Sequence, residues 1–113
     1  MDFNSKKFYN IIKTNERAIL IMNMKFNGAV INERNLHFAI VLVKPTILSC
    51  SYIESLRADF SAVFNGLPVV LMAQAPNGTT RFSGRRDFVN FLYNVPLSSI
   101  NWKKYTLEFK YRL

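Results

Sequence analysis

The sequence predicts a single small α+β domain built on one mainly antiparallel sheet, and three observations predict it. Stretches with helical spacing of apolar residues alternate with stretches of β-rich or two-residue periodicity. Asn-Gly dipeptides at 27–28 and 77–78 mark tight turns between apolar runs. A chain of 113 residues, 50% of them hydrophobic, buries one modest core, so one domain over residues 1–113 is expected. The predicted order is α-β-β-α-β-β-α-β, five strands and three helices.

Lys6 to Thr14 places Phe8, Ile11 and Ile12 at helical spacing behind Ser5, a candidate N-cap, and predicts a short opening helix. Arg17 to Phe26 follows as a strand ending at Asn27-Gly28, a dipeptide suited to a tight turn. After a polar stretch at Asn32–Asn35, Leu36 to Val43 is rich in apolar and β-branched residues and predicts a central strand buried on both faces. Ser51 and Glu54 form a capping-box pattern ahead of Ile53, Leu56, Phe60 and Val63, which share one stripe of a second helix. Asn65-Gly66 stops that helix.

Leu67 to Ala75 predicts another buried strand, turned back at Asn77-Gly78 into Thr79–Phe82. Phe88, Phe91, Leu92 and Val95 mark a third helix, closed before Pro96. Tyr105, Leu107, Phe109, Tyr111 and Leu113 alternate with Thr106, Glu108, Lys110 and Arg112, the pattern of a half-exposed last strand. The segment from Val43 to Pro68 is long enough for a crossover connection. The first strand carries Ala18, Leu20, Met22, Met24 and Phe26 on one face and Ile19 and Ile21 on the other. Either helices cover both faces, or the second face, that of Ile19 and Ile21, is buried by a partner such as a second copy in a homodimer.

Charge bears on partners rather than fold. The net charge is +8, and it is uneven: residues 1–50 carry +4, residues 51–80 carry −1 and residues 81–113 carry +5. A field of that sign attracts nucleic acid, acidic protein surfaces or anionic lipid. The single cysteine, Cys50, has no internal disulfide partner, and the N-terminal segment shows no secretory pattern. No apolar run approaches the length of a membrane helix, so a soluble cytoplasmic protein is expected.

Two constellations carry the basic character. In Gly84-Arg85-Arg86-Asp87 two arginines open a helix, where the positive end of the dipole disfavours them unless an anion is near. That anion is either external, a phosphate or carboxylate, or internal, from Asp87, Asp59 or Glu54. In Trp102-Lys103-Lys104-Tyr105, followed by Lys110 and Arg112 and with Arg81 on a nearby strand, aromatics interleave with cations. Such a surface stacks bases and tracks phosphates, or else it is a core aromatic pair with lysines guarding a sheet edge.

Catalytic and cofactor signatures are absent from the sequence. No glycine spacing matches a phosphate-binding loop, and Phe88-Val-Asn-Phe91, which matches the tail of an RNA-recognition-motif signature, has helical spacing. His37, the lone histidine, reads as a core residue beside Phe38; Cys50, just before a helix, reads as a small buried apolar side chain. The acids are scattered. No cofactor, metal site or catalytic residue is expected, and two functions follow: a non-catalytic module whose basic surface of Arg81, Arg85, Arg86, Trp102, Lys103, Lys104, Lys110 and Arg112 engages nucleic acid, a ribonucleoprotein or an acidic protein, or an assembly subunit that docks through an apolar sheet face.

Overall fold

The computed structural model describes residues 7–14 and 17–112, with side chains described for residue 21 and residues 23–108. The chain forms one α+β domain in the order β1 (Lys7–Thr14), β2 (Arg17–Glu33), β3 (Leu36–Leu42), α1 (Ile53–Val63), β4 (Val69–Gln74), β5 (Thr80–Ser83), α2 (Arg86–Tyr93) and β6 (Lys103–Arg112). Short 3-10 turns at Pro45–Ser49 and Leu97–Ser99 precede α1 and β6. The hydrogen-bonded path of the sheet runs β1-β2-β3-β4-β5, and β6 pairs with β2 off that path.

Four departures from the sequence reading have physical causes. The expected opening helix is strand β1, paired antiparallel with β2 from Lys7 opposite Met24 to Thr14 opposite Arg17. A helix of that length is marginal on its own, whereas Phe8, Tyr9, Ile11, Ile12 and Thr14 favour a strand as soon as a long neighbour offers its ladder. Among the described residues there are thus two α-helices rather than the three expected. The sheet is mixed, because β3 and β4 pair in parallel through the α1 crossover.

Asn27-Gly28 is no turn. β2 runs through it to Glu33, and the reversal falls at Arg34 and Asn35, whose φ values of 52° and 65° supply the left-handed pair of a two-residue hairpin. Gly28 lies inside the sheet, where an added Cβ would stand 3.0 Å from both the Ile40 carbonyl and the edge of the Phe64 ring. Close packing, not a turn, requires this glycine. The capping box also does not form: α1 begins at Ile53 with Tyr52 at the N-cap, so Glu54 comes too early to reach back and bonds Arg57 instead.

Other elements stand where the periodicity puts them. Asn65 and Gly66, both at positive φ, close α1, with the Gly66 amide bonding Ser61 O at 2.9 Å. Gly78, φ 88°, turns β4 into β5, and the Thr79 amide donates to Asn77 Oδ1. β3 and β4 form the buried centre, with Phe38, Ile40, Val41, Val70 and Leu71 fully enclosed.

A two-residue alternation divides the core into two layers. On one face Met24, Phe26, Ala39, Val41, Val69, Leu71 and Leu107 pack against Leu56, Phe60 and Phe64 of and beside α1. On the other, Ala29, Phe38, Ile40, Val70 and Met72 pack against Phe88 and Leu92 of α2 and against Ile100. Helices therefore cover both faces of the central strands. Phe38 stacks on Phe88 at 4.3 Å, and Phe26 meets Phe60 edge-on at 4.8 Å, contacts worth about 0.5–1.5 kcal/mol each beyond their buried area.

Position Gly28 fixes the topology that matters for function. Gly28 lies opposite Val41 of β3 and opposite Lys103 of β6, so these two strands flank β2 on opposite edges. Across the middle of the sheet the order is β6-β2-β3-β4-β5, which leaves β6 and β5 at the two rims.

Candidate functional site

The two basic constellations are at opposite rims. Arg81 is on β5, opposite Ala73, and Arg85 and Arg86 follow at the start of α2; Lys103, Lys104, Lys110 and Arg112 are on β6. Four strand spacings separate the rims, roughly 19 Å. No single surface of the kind expected gathers all of them.

At the β5 rim two of the four cations, Arg85 and Arg57, are paired within the chain. Arg85 is the N-cap residue of α2, and its Nη2 donates to Asp87 Oδ2 at 2.8 Å while Nε donates to Oδ1 at 3.2 Å. Its guanidinium also lies 4.3 Å over the Phe88 ring. Partial desolvation pushes the Asp87 carboxyl up, but the hydrogen bonds from Arg85 and from the Phe88 amide, with the Arg85 charge, outweigh it and hold the group below its ordinary value. This pair offsets the unfavourable meeting of Arg85 with the helix dipole. Gly84 lets the chain pass close against β4, since a Cβ there would meet Val70 Cγ2 at 2.8 Å.

Arg57 of α1, which the sequence did not single out, is the structural cation of this rim. Its Nη1 donates to Ser83 O at 2.6 Å and to Val69 O at 3.2 Å, its Nη2 to Ser83 Oγ at 2.9 Å, and Glu54 accepts from its Nε at 3.2 Å. The guanidinium ties α1 to β4 and β5. An open groove of about 490 Å³ lies between these groups, lined by Glu54, Arg57, Ser83, Gly84, Arg85 and Phe88. Each cation in it already has a carboxylate beside it. Arg86 and Arg81 are exposed and form no ion pair among the described residues.

The β6 rim is different. Trp102 is half-buried against the α2-side core, with Nε1 donating to Leu97 O at 3.3 Å, and Tyr105 packs on Phe64 at 4.7 Å and Phe26 at 5.6 Å. Both aromatics are thus anchored by packing. Lys103 lies opposite Gly28 on the α1 side, and Lys104 lies opposite Asn27 on the α2 side. The next α2-side rows pair Thr106 with Lys25, Glu108 with Asn23, Lys110 with Ile21 and Arg112 with Ile19. For Lys110 and Arg112 the structure describes strand and register, and their side chains lie outside the described residues.

Among the described residues no helix lies over this part of the sheet. Lys25, Lys104, Thr106 and Glu108 are exposed, and Asn23 and Asn27 are half-buried. Lys25 and Lys104 form no ion pair among the described residues. Sequence reasoning missed Lys25, Asn23 and Asn27. Their signal was present, because Asn23, Lys25 and Asn27 alternate with Met24 and Phe26, but joining them to Lys104 required the β2–β6 pairing.

The residues with chemical potential stay apart. His37 is exposed opposite Asn32 in the β2–β3 hairpin, not buried as expected, because the fully enclosed part of β3 begins only at Phe38. Cys50 is half-buried, with its Sγ 3.7 Å from Thr46 O, and a hydrogen bond to it is the main cause that raises the Tyr52 phenol above its ordinary value. Among the described residues no three His, Cys, Asp or Glu side chains gather as a metal site, and no helix is long and apolar enough to cross a membrane. Comparison with family models, curated proteins and solved structures finds no match to this chain.

Proposed function

We propose that this protein is a non-catalytic binding module whose basic surface engages an anionic partner, nucleic acid foremost. The observation that carries the reading is the open α2-side face of β2 and β6, where Lys25 and Lys104 stand exposed without an acidic partner among the described residues. The register continues that face toward Lys110 and Arg112, and the chain's net charge of +8 supplies the long-range attraction. Of the residues expected from sequence to form the surface, Lys104, Lys110 and Arg112 belong to this face, Trp102 borders it, and Lys103 faces the other side. Arg81, Arg85 and Arg86 take no part, because they sit at the far rim and Arg85 is paired with Asp87.

The test is fluorescence anisotropy against single- and double-stranded DNA and RNA over about 50–200 mM salt, where counterion release makes affinity fall steeply. Binding that weakens with salt supports the reading. No binding at the lowest salt, or binding indifferent to salt, rejects it.

A second reading, self-assembly through an apolar sheet face, rests on the register of the outer strands. Tyr9, Met22 and Phe109 share one row, and Ile11, Leu20 and Tyr111 share another, on the side that continues Met24 and Leu107. Light scattering that gives a concentration-independent monomer mass rejects it.

A further inference from the structure

We infer that the anion on the β2–β6 face is a single strand of nucleic acid rather than a duplex, an inference that rests on the proposed binding function. The shape of the face is the first argument. A duplex is read by a helix or ribbon that enters a groove, and among the described residues no helix lies on this face to do so. α2 lies beside this face over β3 and β4, not on top of it.

Spacing is the second argument. Side chains on one face of a strand recur about every 6.7 Å, and Lys104 and Lys25 occupy adjacent rows on adjacent strands. Flexible single-stranded backbone adjusts its phosphates to such a diagonal, and the stiff duplex presents them only along its own helical paths. Thr106 and Asn23 in the same field offer hydrogen-bonding groups that reach unpaired base edges.

Trp102 supplies the third. It packs against the α2-side core just before β6 begins, beside the open face, and the Leu97 hydrogen bond holds its indole in one orientation. A fixed aromatic at the end of a cationic row is a stacking platform for an unpaired base, which a base inside a duplex does not reach.

The chain has one tryptophan, so its fluorescence reports this border alone. Oligo-dT of about 12 nucleotides, and its duplex with oligo-dA, are titrated into the protein while anisotropy and tryptophan emission are followed. The single strand is expected to bind at least about tenfold tighter than the duplex and to quench Trp102 emission. The double variant Lys25→Gln/Lys104→Gln is expected to lose about tenfold in single-strand affinity and to flatten the salt dependence by about 0.7 for each phosphate no longer neutralised. Arg81→Gln/Arg86→Gln at the far rim is expected to stay within about twofold. Equal affinity for duplex and single strand, or a larger loss from the far-rim pair, overturns the inference while leaving nucleic-acid binding in place. Absence of salt-dependent binding to either probe overturns the proposed function itself.

Discussion

Replacing Gly28 by alanine tests the packing account of β2 directly. Gly28 does not have a positive φ, so an alanine there meets no backbone penalty of the kind a turn glycine carries. Its Cβ would instead stand 3.0 Å from the Ile40 carbonyl oxygen and 3.0 Å from Phe64 Cζ, where ordinary contact begins at 3.4 Å. The carbonyl belongs to the centre of the sheet and cannot retreat, so the strain falls on the ring of Phe64, itself packed on Phe26 and Tyr105. Overpacking of this kind costs about 1–3 kcal/mol. Alanine restricts the unfolded chain and returns about 0.4–1 kcal/mol, which leaves a net loss centred on about 1.3 kcal/mol. Urea unfolding of Gly28→Ala, Phe64→Leu and the double variant closes a thermodynamic cycle. The shorter leucine side chain gives the added methyl room, so the alanine is expected to cost about 0.5–1 kcal/mol less in the Phe64→Leu background. An alanine that is neutral, or that costs the same in both backgrounds, refutes the reasoning.

Three further outcomes rest on particular residues. Arg34→Asn is expected to raise stability by about 0.5–1 kcal/mol, because arginine at φ 52° is held where asparagine sits more easily; thermal melting reads it, and no change contradicts it. Arg57→Met is expected to cost about 2–4 kcal/mol in urea unfolding, since the carbonyls of Val69 and Ser83 lose a charged donor that ties α1 to β4 and β5. The carboxyl of Asp87 is held below its ordinary 3.8, so its contribution is present above that value and is lost as pH falls through the lower folded value. Stability measured from pH 7 downward is expected to fall less steeply in this acid range for Asp87→Asn than for the parent protein; parallel curves contradict the pairing.

The sequence made the regular interior legible and the rims illegible. Strong periodicity in Leu36–Val43, Ile53–Val63 and Phe88–Leu92, and turn chemistry at Asn65-Gly66 and Asn77-Gly78, each specify one local answer and the fold adopts it. Lys7–Thr14 was ambiguous, because eight residues with Phe8, Ile11 and Ile12 satisfy either period and the choice came from the long edge of β2. Asn27-Gly28 carried a turn signal whose glycine serves the approach of Phe64, a contact between residues far apart in sequence. The grouping of the basic residues was hidden for the same reason. Lys104 and Lys25 become neighbours only through strand pairing, and Arg81 and Lys104 are separated only by strand order; neither relation leaves a local mark on the chain.

The most direct test of the functional account is an amide chemical-shift titration of the labelled protein with oligo-dT at low salt. Shifts are expected to concentrate at Asn23, Lys25, Asn27, Lys104 and Thr106 and at the indole of Trp102, with Arg81, Arg85 and Arg86 unmoved. Shifts centred on the start of α2 and on β5, or none anywhere at saturating oligonucleotide, contradict it.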